Sequence, residues 1–230
     1  MSALAIVIPA LDEADSVGGS VSELREHTDA PIYVVDNGST DATAEVAARA
    51  GAIVVSEPRR GYGWACLAGS RAALDGGADV IVYFDADRSS RPDELDELLA
   101  PIATDAADLV LGSRLLGTVE PGSMAPHQRF GNWLTAAIMR RIYRIEVTDL
   151  GPFRAIRSDV YASLDMTEMT FGWPTEMTLR CATSGARIVE VPVTWQARSA
   201  GESKVSGTVV GSVKAAWHIL GVTFRFARRR

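Results

Sequence analysis

The strongest constraint on this chain is a regular alternation in which short runs of β-branched and apolar residues are separated by segments with helical apolar spacing. Strands are expected at Ala3–Ile8, Ile32–Asp36, Ala52–Ser56, Val80–Asp85 and Asp108–Gly112, with helices over Ser16–His27, Asp41–Ala50, Gly63–Leu74 and Pro92–Ala100. A parallel return to the same sheet needs a crossover helix, so this order predicts an α/β domain of Rossmann-like type, with a mainly parallel central sheet flanked by helices. Ligands of such sheets sit beyond the carboxyl ends of the strands. Pro9, Asp36, Asp85 and Arg114, each at or just past such an end, are therefore expected to converge on one crevice.

The second half is less regular. A loop over Gly117–Ala125 is expected to lead into a helix from His127 to Tyr143, followed by a turn-rich stretch carrying Asp149, Gly151 and Arg154, a helix over Pro174–Ser184 and a strand at Arg187–Val193. From Val205 the apolar residues Val209, Val213, Trp217, Leu220 and Phe224 recur at helical spacing, interrupted by glycines and ending in Arg228, Arg229 and Arg230. A core-packing helix fits this tail slightly better than a membrane-surface helix. With 230 residues, one large core is the default. The expected division is a catalytic domain over 1–204, made of a nucleotide-binding half (1–115) and an acceptor half (116–204), then a helical tail over 205–230.

The net charge of −6 argues against general nucleic-acid binding, which needs a basic surface to displace counterions. Cys66 and Cys181 both fall in helical segments and read as reduced residues, which suits a cytoplasmic protein. The amino terminus lacks the stages of a secretory leader, and no run approaches the ~18 apolar residues of a membrane span. Membrane contact is thus expected to be peripheral, and a homodimer remains open.

The chemistry centres on Asp85-Ala86-Asp87, directly after the apolar run Val80–Phe84. Carboxylate oxygens hold hard divalent cations such as Mg²⁺ or Mn²⁺, which neutralise a departing diphosphate. Asp87 is the preferred direct ligand, and Asp85 reaches the metal through water or holds the ribose or sugar. Alone, an Asp-x-Asp reads more readily as a solvated turn or cap. Its context is Val34–Asp41, where a second strand closes on Asp36 and a turn. Asp36 can accept a base N–H, whereas Ser39, Thr40 and Asp41 read as helix caps. Pro9–Glu13 places a rigid turn at the first strand end, where backbone groups and Glu13 can hold a nucleoside.

These segments resemble family 2 glycosyltransferases of the GT-A fold, in particular the dolichol-phosphate mannose synthase-like, polyprenyl-phosphate branch. The likeness covers nearly the whole chain. It implies that Pro9, Ala10, Glu13 and Asp36 contact the nucleoside and that Asp85 and Asp87 serve diphosphate and metal. Arg60–Gly63 is similar to the family's Gly-Lys-Gly turn, with Gly61 near the nucleotide and Tyr62 in place of lysine. Gly112-Ser113-Arg114 matches the family's Gly-Ser-Arg, and Asp149–Arg154 resembles its acceptor-side Asp-x-x-Ser-Gly-Phe-Arg, which makes Asp149 and Arg154 acceptor-side candidates. Glu176, in Gly172–Glu176, faces sugar or acceptor in the resemblance, although capping of the following helix explains it equally. Arg198, Ser203 and Lys204 resemble the Arg-x-x-Gly-x-Ser-Lys loop that closes over phosphates. One departure is Ser89, where the polyprenyl-phosphate enzymes carry a metal-binding Gln.

The expected activity is that of an inverting, metal-dependent hexosyltransferase that uses a UDP- or GDP-sugar. A polyprenyl phosphate is the preferred acceptor. An anionic acceptor oxygen needs no general base, whereas a hydroxyl acceptor requires Asp149 or Glu176 to take a proton. A transferase acting on a soluble hydroxyl, or a non-catalytic nucleotide-sugar-binding module, is the alternative. A sugar nucleotidyltransferase would show an early Gly-rich loop in place of Pro9–Glu13.

Overall fold

Each expected βα unit forms where its apolar period places it, and the differences lie at strand ends and in the second half. The structure is a computed structural model that describes residues 3–198 and Gly221. Its first half runs β1 (Leu4–Ala10), α1 (Val17–His27), β2 (Ile32–Asp36), α2 (Thr43–Arg49), β3 (Ile53–Ser56), α3 (Tyr62–Asp75), β4 (Val80–Tyr83) and α4 (Leu95–Ala103), the last entered through a 3-10 turn at Pro92–Glu94. The second half contains β5 (Leu109–Val119), α5 (Pro126–Tyr143), β6 (Arg154–Arg157), α6 (Ser158–Ala162), α7 (Trp173–Ser184) and β7 (Ile188–Trp195). Ser203, Lys204 and the tail from Val205 onward, Gly221 excepted, lie outside the described residues.

The seven strands lie in the order β3-β2-β1-β4-β6-β5-β7. β1 is parallel to β2 and β4, β2 to β3, and β5 to β7. β6 is antiparallel to both its neighbours, β4 and β5. Successive side chains of a strand face opposite sides. Ala5, Val7, Tyr33, Val35, Ile81 and Tyr83 accordingly pack with α3, α5 and α7 through Cys66, Met139, Trp173 and Met177. Ile6, Ile8, Ile32, Val34, Val80 and Val82 pack with α1, α2 and α4 through Val21, Leu24, Ala47 and Leu98. Covering both faces is what makes these strands read as continuous apolar runs. Cys66 and Cys181 are buried free thiols in α3 and α7. Among the described residues, no helix is long and apolar enough to cross a membrane.

Two expectations require correction. The segment from Gly117, expected as loop, begins as strand, because β5 continues to Val119 after a register shift against β7 between Ser113 and Thr118. Gly117 permits this, since a Cβ there would lie 2.1 Å from the Val193 carbonyl oxygen. Arg154, expected in a turn-rich stretch with Asp149 and Gly151, instead opens the buried antiparallel strand β6, which runs to Arg157 and is followed directly by α6. Four residues flanked by arginines are too short to display a period of two.

Strand order reverses at β1, whose first connection leads to β2 on one side while β4 lies on the other. The loops after β1 and β4 therefore diverge and open a crevice between them. Gly117→Ala should lower stability by roughly 1–3 kcal/mol, because overpacking pushes β7 away. Gly131→Ala in α5, where a Cβ meets nothing within 4 Å, should instead gain about 0.5–1 kcal/mol from helix propensity. Urea midpoints of the two variants check the opposite signs.

Candidate active site

The loops after β1 and β2 are stitched together by side chains that a solvated turn would leave free. Asp12, in the left-handed region at φ 51°, accepts the Thr40 N–H at 2.7 Å, while its own N–H donates to Ser39 Oγ at 3.0 Å. The Glu13 N–H donates to Thr43 Oγ1 at 2.8 Å, and the Ala14 N–H donates to Asp41 Oδ2 at 3.1 Å. Asp41 also accepts the Thr43 N–H at 3.0 Å, but Ala42 occupies the position before α2 and no side chain caps that helix, so the capping expected of Ser39, Thr40 and Asp41 gives way to bonds between the loops. This frame aims the Glu13 carboxylate inward, where it is buried and accepts Ser16 Oγ at 2.9 Å.

A cavity of about 380 Å³ opens beside it, lined by Pro9, Ala10, Glu13, Gly61, Asp85 and Asp87 and completed by Asn37, Arg60, Tyr62, Phe171 and Arg198. Asp36 is absent from this wall. It is half-buried and accepts the Ser39 N–H at 3.1 Å, so its neighbour Asn37 takes the inward position. Asn37 Nδ2 donates to the Glu57 and Arg59 carbonyls, and its Oδ1 accepts the Gly61 N–H at 2.8 Å. Gly61 and Gly63 have a tighter purpose than approach to a nucleotide. A Cβ on either would collide with the Glu168–Met169 backbone, at 2.4 Å and 2.3 Å respectively.

Asp85 and Asp87 follow the end of β4. The loop is anchored by Ser20 Oγ, which donates to the Ala86 carbonyl at 2.8 Å. Asp87 Oδ1 accepts the Ser89 N–H at 3.0 Å and the Ser89 hydroxyl as well. Ser89, wholly buried, thus holds the carboxylate from behind. Asp87 Oδ2 lies 2.7 Å from Arg198 Nε, and Arg198 also reaches Glu13 at 3.5 Å. Burial, and then the neighbouring charge of Asp87, push the Asp85 carboxyl up to about 8.

On the far side of the two aspartates lies a second cavity of about 440 Å³, which shares Tyr62, Asp85, Asp87, Phe171 and Arg198 with the first. Its own wall includes Arg114, Met124, Gln128, Leu150 and Trp195. Arg114 lies over the Trp195 ring at 4.8 Å and grips Asp149 through two side-chain hydrogen bonds of 2.7 Å each. Asp149 has no exposed surface and also accepts the Arg114 N–H and Asn132 Nδ2. Burial raises its pKa, but the Arg114 charge and these hydrogen bonds outweigh burial and hold it below the ordinary range.

Two further candidates, Glu176 and Arg154, stand back from both cavities. Glu176, 1% exposed, accepts the Thr167 and Glu168 N–H groups and Arg180 Nε. Those bonds outweigh burial and lower its pKa. Arg154 is wholly buried and donates to the Gly151 and Pro174 carbonyls, a placement that leaves no surface for an acceptor phosphate. Asp149 and Glu176 accordingly have the bonding of structural anchors. Asp149→Ala, which strands Arg114 beside a cavity wall, should cost about 3–5 kcal/mol of stability. Chemical denaturation measures this, whereas an exposed catalytic base would show almost no loss.

The Glycosyl transferase family 2 model matches residues 5–164, from β1 through α6. The chain is 37% identical over 215 residues to a Mycobacterium tuberculosis glycosyltransferase described as uncharacterised, an alignment covering 93% of this chain and 94% of that one. It is 33% identical to the undecaprenyl-phosphate mannosyltransferase of Micrococcus luteus, over 89% of this chain and 88% of the relative. It is also 33% identical to the polyprenol monophosphomannose synthase of Mycolicibacterium smegmatis, over 94% and 87% respectively. The solved structure of M. tuberculosis glucosyl-3-phosphoglycerate synthase in complex with Mn²⁺, uridine diphosphate and phosphoglyceric acid superposes with a TM-score of 0.80 at 18% identity, covering 98% of this chain and 78% of that one. That likeness bears on the fold, which is the GT-A arrangement. A family match over most of the chain, on a sheet whose reversal point carries the paired aspartates, makes this chain a member of glycosyltransferase family 2.

Proposed function

We propose that the chain transfers a hexose from a UDP- or GDP-sugar to a polyprenyl phosphate with inversion at the anomeric carbon. The observation that carries this reading is the wall of Asp85 and Asp87 shared by two cavities, because donor and acceptor can then meet across it from opposite sides. The cavity at the β1 and β2 ends suits the nucleoside, with Glu13 and Asn37 as polar contacts and Arg60 beside the phosphates. An oxygen of the acceptor phosphate supplies the electron pair that forms the bond to the anomeric carbon. The bond from that carbon to the diphosphate breaks, and its pair leaves with the nucleoside diphosphate.

Two adjacent carboxylates are hard oxygen donors whose mutual repulsion a divalent cation relieves, so they fit Mg²⁺ or Mn²⁺. Among the described residues no cluster of three or more His, Cys, Asp or Glu side chains could hold a metal. Asp85 and Asp87 would therefore share it with phosphate oxygens and water, the usual arrangement for Mg²⁺ in phosphate chemistry. When bound, such an ion neutralises charge developing on the departing diphosphate. Arg114 and Arg198 line the acceptor side as cations for a phosphate. Ser203 and Lys204 follow Arg198 closely in the sequence.

The acceptor reading draws on the bonding of the two candidate bases. Asp149 and Glu176 are sequestered with lowered pKa values, and the carboxylates that line the acceptor cavity are the aspartates assigned to the metal. A phosphate arrives already ionised and asks for no base. The two polyprenyl-linked relatives point the same way.

Incubation with Mn²⁺, GDP-mannose or UDP-glucose, and undecaprenyl phosphate should release nucleoside diphosphate only when the lipid phosphate is present. NMR of the product should give an anomeric configuration opposite to the donor's; retention overturns the mechanism. Asp87→Asn should lower kcat/KM about 10²-fold or more, matching the several kcal/mol of charge stabilisation at stake.

A further inference from the structure

We propose that the outward face of α5 is the surface by which this protein rests on an anionic lipid bilayer. The inference rests on the polyprenyl-phosphate reading and adds where the membrane lies. Thr135, Ala136, Met139 and Tyr143 are the buried side of this helix. On the opposite side Phe130 is 60% exposed and Trp133 52% exposed, with ring centroids 5.9 Å apart. Successive helical residues advance by about 100°, which puts Phe130, Trp133, Ala137, Arg141 and Arg144 within a stripe of roughly 80°. Two large aromatic rings held in water are costly unless something covers them.

Charge identifies the cover. From Pro126 to Arg144 the chain has four arginines, Arg129, Arg140, Arg141 and Arg144, and no carboxylate, although the protein as a whole carries −6. All four are exposed. Aromatic rings flanked by arginines match an interface of acyl chains below anionic headgroups, with the arginine stems lying along the apolar layer and their heads in the phosphates. The segment past Arg198 is a poor rival, since it carries six Lys or Arg against the single Glu202 and would be repelled.

The placement serves the chemistry. Met124 and Ala125, just before α5, and Gln128 in its first turn line the acceptor cavity. One turn further on, Asn132 Nδ2 donates to Asp149 at 2.6 Å and its Oδ1 accepts the Leu150 N–H at 3.2 Å, which clamps the helix to the residue that holds Arg114. A bilayer under Phe130 and Trp133 would lie one helix away from that cavity, with α5 between them.

The test is sedimentation of the full chain with vesicles of phosphatidylcholine alone or with phosphatidylglycerol, across a salt series. The wild type should pellet with the anionic vesicles, less so as salt rises. F130S/W133S and R141S/R144S should each bind about tenfold or more weakly, with unchanged circular dichroism since these side chains are exposed. Equal pelleting of wild type and both variants overturns the proposal. So does lipid-free dimerisation of the wild type that F130S/W133S abolishes, because a second copy then covers the face. Transfer to detergent-dispersed undecaprenyl phosphate separates the two readings. If F130S/W133S keeps activity there and loses it on vesicles, the membrane face is supported; if the wild type is inactive in both formats, the acceptor assignment fails while sedimentation still scores the surface.

Discussion

Asp85 and Asp87 stand one residue apart at the end of a strand buried on both faces, and their repulsion sets the demands on everything around them. β4 cannot move them apart, because Val80 to Tyr83 are locked into layers on both sides of the sheet. The compensation comes from elsewhere in the chain. Arg198, at the far end of the described residues, crosses to Asp87, and Ser89 turns back to donate to it. Asp85 receives no such hydrogen bond among those described, and its carboxyl is driven up to about 8. A site that penalises its own charge in this way gains most from an incoming cation.

Around that centre, polar groups that resemble catalytic machinery act as construction. Asp149 holds Arg114 in a bidentate grip and is bonded in turn to Asn132 of α5. The adjoining N–H groups of Thr148 and Asp149 donate to Glu190 of β7. Two carboxylates, Asp149 and Glu190, thereby tie together β5, α5 and β7, three elements distant in sequence that form the acceptor side. Such a pair contributes orientation more surely than net stability, since desolvation of both ions offsets much of their attraction. Arg154 has an analogous place in β6, filling a buried position while meeting backbone carbonyls.

The same rigidity connects the site to the surface. α5 is fastened inward by Asn132, so its outward side is positioned relative to the acceptor cavity as firmly as Arg114 is. The exposed aromatic pair and the arginine-only charge of that helix thus lie on a face whose opposite side is fixed to the acceptor half.

Much of this was readable in the chain itself. The apolar periods of β1 to β4 and of α1 to α5 arise from burial of one or both faces, a local property, and those elements lie within a few residues of expectation. The position of Asp85 and Asp87 beyond an apolar run followed for the same reason. Other features depend on partners far along the chain. Whether Asp36 or Asn37 faces the cavity depends on the Gly61 and Glu57 backbone that Asn37 meets. β6 enters as an antiparallel strand because β4 and β5 leave a gap of one strand's width. Asp149, Arg154 and Glu176 carry the residue types of a reactive site, yet packing closed over each of them. Periodicity records which side of an element is buried; only the assembled fold decides whether a charged side chain is left facing a substrate or is used up in holding its neighbours.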